Sequence, residues 1–229
     1  MFGAGSSGRR PSGLPAEKRW ATFDCYGTLV DWNAGIRSEL ERIFGTENTL
    51  RLLERYHRLE PEVEHGEPSL PYREVMARVL DRLGAPESER DALGRSLPGW
   101  PVFPEVPVAL EEAKRRGWRL CILSNTDRDL LDESMRRIGV AFDGAIVASE
   151  ISSYKPAHGH WRAFERDQGR LPDVHVAASL FHDVVPTREL GVPSVWINRL
   201  GETAGTAKPT RELPDLRDLP EVLDELVPA

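Results

Sequence analysis

Apolar and β-branched side chains run without a break through Ala21, Thr22 and Phe23, stop at Asp24, and are followed by Gly27. A continuous apolar run bounded by a glycine predicts a central parallel strand buried on both faces, with a sharp turn just past it. Beyond Asp31-Trp32-Asn33 the period changes, and Ile36, Leu40, Ile43 and Phe44 recur at three- and four-residue steps. That spacing predicts a helix which Gly45 ends. Further amphipathic stretches predict helices over 49–64, 72–83 and 86–97, before a linker, 98–104, that is rich in proline and aromatic residues. Four helices with no strand between them predict a cap inserted after the first strand.

From Val106 onward helical and strand periods alternate: helix 106–116, strand 119–123, helix 129–138, strand 144–148, helix 160–167, strand 174–178, helix 184–190 and strand 194–197. The alternation predicts a doubly wound parallel-sheet α/β core. Right-handed crossovers then carry the carboxyl ends of all strands to one edge, where residues distant in sequence converge. The predicted division is a leader over 1–18, a core over 19–33 and 101–229, and a helical cap over 34–100. Residues 201–209 read as a mobile loop and 219–226 as a closing helix.

Composition narrows the function classes. A formal charge of −7 argues against a nucleic-acid or anionic-membrane surface, both of which reward basic patches. No apolar run approaches the ~20 residues of a membrane helix, and the Gly/Ser/Pro-rich start lacks the apolar stretch of a secretory signal. Cys25 and Cys121 both sit inside apolar strand patterns, as small buried hydrophobes, so a reduced, cytoplasmic setting is expected.

The rim of the predicted sheet gathers Asp24 after the first strand, Ser124-Asn125-Thr126-Asp127 after the second, 150–155 after the third and 179–183 after the fourth. A carboxylate nucleophile needs a cation to keep it ionised and oriented, donors for charge on the substrate, and a second acid or base for the later attack of water. Asp24, Lys155, Ser124 with Asn125, and Asp183 supply one of each. Cys25 is a poor candidate for this work, because successive strand residues face opposite sides.

In order, Asp24-Cys-Tyr-Gly-Thr28, Leu123-Ser-Asn125, Ser153-Tyr-Lys-Pro156 and Ser179-Leu-Phe-His-Asp183 resemble the four motifs of the haloacid dehalogenase-like hydrolase superfamily. The resemblance covers essentially 19–228 and implies a Rossmann-like core with an inserted cap. Phosphatases of the superfamily carry an aspartate two residues after the nucleophile, where this chain has Tyr26, and usually one where it has Ala178. Magnesium prefers a cage of carboxylate oxygens, which this rim supplies poorly. Tyr26, Gly27, Thr28 and Trp196-Ile-Asn-Arg199 resemble instead the L-2-haloacid dehalogenase branch.

That branch implies removal of halide from a short 2-haloacid without a metal or other cofactor. Asp24 would attack the α-carbon and form an ester, and Asp183 would assist the water that cleaves it. Lys155 and Thr28 would orient Asp24, Ser124 and Asn125 would hold the substrate carboxylate, and Tyr26 and Trp161 would wall the pocket. The alternatives are a Mg2+-dependent phosphatase acting through an aspartyl phosphate, a hydrolase of another activated small carboxylic acid, and a binding protein that has kept the fold. The partner expected is a small carboxylic acid, with no nucleic acid and no membrane; the resemblance also leaves room for a homodimer. It further implies a cap arginine, for which the candidates are Arg37, Arg42, Arg51, Arg55 and Arg58, with none singled out. His158 and His160 lack a third ligand at metal spacing and read as loop residues. His182, beside Asp183, reads as lining or packing, and Trp100 and Phe103 read as packing where cap meets core.

Overall fold

The computed structural model describes residues 18–67 and 69–228. All but the last residue of the expected 1–18 leader therefore lies outside the described residues. Six strands form one parallel sheet: β1 (Arg19–Phe23), β2 (Trp118–Ser124), β3 (Gly144–Val147), β4 (Val174–Ala177), β5 (Ser194–Ile197) and β6 (Arg211–Leu213), in the order β3-β2-β1-β4-β5-β6. The order reverses direction at β1. The run ending at Asp24 thus lies at the topological switch point, where open α/β sheets hold their ligands. β1 pairs with β2 from Arg19↔Trp118 to Phe23↔Ile122, and with β4 from Ala21↔Val174 to Phe23↔Val176.

Between β1 and the rest of the sheet the chain forms α1 (Trp32–Phe44), α2 (Thr49–Gly66), α3 (Tyr72–Leu83) and the short α4 (Ala92–Ser96), then returns through α5 (Val106–Arg115). α1 begins where Asp31 accepts a hydrogen bond from the Ala34 amide at 3.0 Å, and ends at Gly45 with φ 79°. The fourth predicted helix is broken into a 3-10 turn at Glu87–Glu89, α4, and a second 3-10 turn at Leu97–Gly99. Gly94, inside α4, weakens that stretch as a helix, and Pro98 stands just past its end. α6 (Arg128–Ile138), α7 (Ala148–Ile151), α8 (Gly159–Gln168), α9 (Val185–Glu189) and α10 (Leu219–Leu226) complete the layers. The predicted helix at 184–190 is instead a π-helical turn, Leu180–Val184, running into α9. Strand β6 and the one-turn α7 carry no periodic signal long enough to predict.

Two ties hold the helical insertion to the core. The Asp127 carboxylate accepts hydrogen bonds from the amides of Tyr72 and Arg73, at 2.9 and 3.0 Å. α3 begins after Pro71, which has no side chain to cap it, so the core aspartate takes over the free N–H groups. The second tie is Trp100, buried as expected at the junction. It stands edge-on to Tyr26 at 6.1 Å between centroids, and its indole donates to the Ser96 hydroxyl at 3.1 Å.

Gly35 on α1 admits that indole: a Cβ there would lie 2.3 Å from the Trp100 ring. Gly35→Ala is expected to destabilise the protein by about 1–3 kcal/mol through overpacking. Urea denaturation followed by tryptophan fluorescence checks this, and an unchanged midpoint would show that the junction has slack.

Candidate active site

At the end of β1, Asp24 is fixed by its own backbone, whose amide donates to the Val176 carbonyl at 3.0 Å. Its side chain is held from two sides. Lys155 Nζ donates to Oδ1 at 2.9 Å, and the Thr28 hydroxyl donates to Oδ2 at 2.9 Å. Thr28 Oγ1 accepts in turn from the Ala178 amide at 2.9 Å, so the hydroxyl proton is left to point at the carboxylate. Gly27 turns the chain between these residues at φ 89°, a conformation open to glycine without strain.

The Lys155 ammonium is 1% exposed and makes three hydrogen bonds: to Asp24, to the Leu123 carbonyl at 2.9 Å, and to Asp183 Oδ1 at 2.7 Å. Burial disfavours its charge, but Asp183 and Asp24 more than offset that and hold the ammonium above its usual range. Burial likewise opposes ionisation of Asp183, yet Lys155 and His175 hold it well below the ordinary carboxylate range. Asp24 moves the other way, pushed up by burial against the pull of Lys155 and Thr28. One ammonium is shared between two carboxylates, and each has a further partner: a hydroxyl, Thr28, on Asp24 and an imidazole on Asp183.

That imidazole is His175, which the sequence reading did not single out. Its Nε2 lies 2.9 Å from Asp183 Oδ1, and its Nδ1 lies 2.8 Å from the Thr22 hydroxyl. The set is consistent with Thr22 donating to Nδ1 while Nε2–H donates to the carboxylate. A polar residue inside the apolar Val-His-Val-Ala strand was the available signal. Asp183 Oδ2, buried, has no hydrogen-bond partner in the protein, so one carboxylate oxygen is free to accept from a water or substrate.

The other expected site residues divide. Ser124 lies at the end of β2, fully buried, with its hydroxyl unpartnered and available. Tyr26 lines a cavity of about 800 Å³ together with Gly27, Trp32, His57 and Ala178; its hydroxyl meets Ser134 Oγ at 3.0 Å. Asn125 departs from the role given to it. Its amide donates to the Lys155 carbonyl at 3.0 Å, and its carbonyl accepts from the Lys155 amide at 2.7 Å. A side chain committed to both backbone groups of Lys155 positions that lysine and is not free to hold a substrate carboxylate. Trp161 is also corrected: it is fully buried with Trp20, Leu123 and Phe164, and its ring stands edge-on to His175 at 5.4 Å, so it supports the site from beneath and walls no pocket.

His158 pairs with Glu189 at 3.0 Å while His160 bonds the Ser124 carbonyl at 3.0 Å, so the two have separate structural tasks. Burial lowers His160 to about 3, which keeps it neutral. His182 is half-buried, with Nδ1 3.1 Å from Ser179 Oγ. Among the cap arginines, Arg42 bonds Glu39 and Glu89, Arg55 bonds the Arg82 carbonyl, Arg37 bonds Glu41, and Arg51 and Arg58 are exposed. None is hydrogen-bonded to Asp24, Lys155 or Asp183. The donor set does not fit a magnesium ion either. Tyr26 and Ala178 offer no carboxylate, the Lys155 ammonium lies between Asp24 and Asp183, and no three metal-ligating side chains cluster among the described residues.

A sequence profile described as haloacid dehalogenase-like hydrolase matches residues 18–173. The chain belongs to this family. It is 32% identical over 159 residues to a phosphoserine phosphatase of Thermus thermophilus, a match covering 65% of the chain and 64% of that relative. It is 33% identical over 129 residues to an (S)-2-haloacid dehalogenase of Pseudomonas sp. strain YL, covering 53% of the chain and 55% of the relative. The chain thus spans little more than half to just under two thirds of these two relatives. With (S)-2-haloacid dehalogenase 1 of Pseudomonas sp. strain CBS-3 the likeness extends over 90% of the chain and 96% of the relative, at 26% identity. In fold it is similar to the L-2-haloacid dehalogenase of Xanthobacter autotrophicus, with a TM-score of 0.76 and 21% identity over 90% of the chain and 98% of that structure.

The shared ammonium yields a stability prediction. Lys155→Met leaves two buried carboxylates facing each other, at an expected cost of about 3–5 kcal/mol near neutral pH. Asp183 ionises below the unfolded value in the native protein, so its stabilisation is present above that value and lost as pH falls through the native one. Without Lys155 both carboxylates rise instead. The deficit of the variant is therefore expected to be larger at pH 8 than at pH 5, and urea midpoints of both proteins at the two pH values test it. A deficit independent of pH would show that Lys155 acts by packing alone.

Proposed function

We propose that this protein is a hydrolase that removes halide from a short 2-haloacid, in a cytoplasmic setting, without a metal. The observation that carries the reading is the buried Asp24–Lys155–Asp183 arrangement with a free oxygen on Asp183 and no second carboxylate at Tyr26 or Ala178. The full-length likeness to an (S)-2-haloacid dehalogenase supports it.

In the first step a carboxylate oxygen of Asp24 attacks the α-carbon opposite the halogen. A carbon–oxygen bond forms, and halide leaves with the electron pair of the carbon–halogen bond. Thr28 and Lys155 fix the attacking group, which confines it to a productive direction. In the second step a water, giving its proton toward Asp183 Oδ2, attacks the aspartyl carbonyl carbon. The bond from that carbon to the alkyl oxygen breaks, the alkyl oxygen takes the proton back from Asp183 and departs as the 2-hydroxy acid, and Asp24 is regenerated with one oxygen from water, its remaining proton passing to solvent. The Ser124 hydroxyl, unpartnered within the protein, donates to the substrate carboxylate in this reading. Because Asp24 is raised by burial, activity is expected to rise with pH as that carboxylate ionises.

The test is halide release from chloroacetate and each enantiomer of 2-chloropropionate in excess EDTA, with Asp24→Asn as blank and p-nitrophenyl phosphate plus magnesium in parallel. Halide in EDTA, abolished in the variant, is the expected result, and Asp183→Asn is expected to accumulate the ester, visible as added intact mass. Phosphate release that needs both magnesium and Asp24, with no halide from any acid, would transfer the protein to the phosphatase side represented by its Thermus relative.

A further inference from the structure

The cavity beside Tyr26 is larger than a short acid needs. It measures about 800 Å³ and is lined by residues of α1 and α2 from the cap and by residues just past β4 and β5 from the core. A three-carbon acid displaces roughly 150 Å³, at about 30 Å³ for each of about five water-sized units. Gly27 and Ala178 line the cavity, and both belong to the scaffold of Asp24. Gly27 lies in the turn between Asp24 and Thr28, and the Ala178 amide holds the Thr28 hydroxyl oxygen. The Trp32 indole closes on the same turn, since a Cβ at Gly27 would lie 3.1 Å from its Nε1. A group in the cavity therefore rests against the turn that carries the candidate nucleophile, and Asp24 is less buried than Lys155 or Asp183.

The lining is rich in flat and apolar groups. Trp32 on α1 and His57 on α2 are stacked, with ring centroids 5.0 Å apart and 19° between their planes. Phe103 also lines the cavity, with the Arg199 guanidinium 3.5 Å from its ring centroid, and Leu53 and Ile197 add aliphatic surface. Leu50 of α2 and Leu200 after β5 are 67% and 70% exposed, two of the five large apolar side chains left open among the described residues, and both line this cavity. Apolar surface gathered at one opening marks a place that an apolar group covers. Three of the charged groups in the lining are engaged: Asp31 accepts from the Ala34 amide, Arg37 pairs with Glu41, and Arg199 pairs with Glu105. Glu54 and Glu202 are exposed. The surface that remains suits a neutral group.

We propose that this cavity is the subsite for the α-substituent of the substrate, and that the substituent ends in an aromatic ring, so that the short acid attacked by Asp24 is of the 2-halo-3-arylpropionate class. A flat ring meets flat walls face-on or edge-on and gains more than its buried area alone provides. A methyl group in its place leaves most of the volume to water, and cavities of this size and lining ordinarily enclose far larger ligands. The proposal rests on the dehalogenation reading only for the halogen; occupancy of the cavity is tested without it.

Isothermal titration of the wild-type protein with propionate, 3-cyclohexylpropionate and 3-phenylpropionate separates a flat ring from mere bulk. The phenyl acid is expected to bind at least ~tenfold more tightly than propionate, and more tightly than the cyclohexyl acid. Leu53→Arg places a charge in the lining and is expected to cut the phenyl-to-propionate ratio at least ~fivefold. Should that variant lose the native circular dichroism, Leu50→Glu with Leu200→Glu, at exposed positions, takes its place. A ratio that survives in a natively folded variant, no binding of the phenyl acid, equal binding of propionate, or equal or tighter binding of the cyclohexyl acid would overturn the aryl subsite. Halide release from 2-chloro-3-phenylpropionate and 2-chloropropionate tells the two readings apart, and a higher kcat/KM for the phenyl acid is expected. Preference for 2-chloropropionate overturns the aryl subsite and keeps the dehalogenase. Silence toward both, with the binding preference for 3-phenylpropionate intact, overturns the dehalogenase and keeps the subsite.

Discussion

The arrangement at the sheet edge depends on one buried ammonium serving two carboxylates. Lys155 comes from the loop after α7, Asp24 from the end of β1 and Asp183 from the π-helical turn after β4, so the charge joins three separated segments. Burying so many charges is costly unless each is paired and its remaining hydrogen-bonding capacity filled. The neighbouring atoms answer that requirement. The Leu123 carbonyl takes the third ammonium proton, Asn125 fixes both backbone groups of the lysine, and Thr28 and His175 each add a donor to one carboxylate, leaving Asp183 Oδ2 unpartnered. The residues around the charges are as specific to the site as the charges themselves.

Sharing one cation also makes the two carboxylates unequal. Asp183 receives both Lys155 and His175 on Oδ1 and stays ionised easily, while Asp24 has Lys155 and a neutral hydroxyl and is raised by burial. A carboxylate that is less stabilised as an anion is the better nucleophile, and one that keeps a free oxygen is suited to hold water. Each carboxylate receives two donors, so the asymmetry follows from their kind, an imidazole on Asp183 against a hydroxyl on Asp24. His175, placed by strand pairing against β1 and shielded by Trp161, supplies the difference.

What the sequence made legible was the set of residues whose signal is local. Asp24, Ser124, Lys155 and Asp183 each follow an apolar strand, and parallel pairing brings strand ends together, so their convergence could be argued from the pattern alone. Contacts made across elements were not legible. Asn125 reads as a rim amide until Lys155 is seen to satisfy it, and Trp161 reads as a wall until its helix is seen to pack beneath the sheet. Glu60 and Glu64 sit in a helix full of charged residues, where an acidic side chain ordinarily faces water. Only the packing of α2 over the core reveals that these two are buried. The short β6 and the split of the fourth cap helix were hidden for a different reason: neither is long enough to show a period.

The same packing explains why the cap's cations are elsewhere. A helix in contact with the core presents one stripe inward, and on α2 that stripe runs through Leu52, Tyr56, Glu60, Val63 and Glu64. Arg51, Arg55 and Arg58 fall between those positions and are turned outward, with Arg55 bonded to the Arg82 carbonyl on the cap's own surface. Moving an arginine inward would require rotating the helix and exposing Leu52 and Tyr56, which are buried. The hydrophobic register therefore puts Glu60 and Glu64, and no arginine of α2, on the buried face. Asp127 keeps that register by capping α3, because α3 packs on α2 and cannot turn while its amino end is bound to the core.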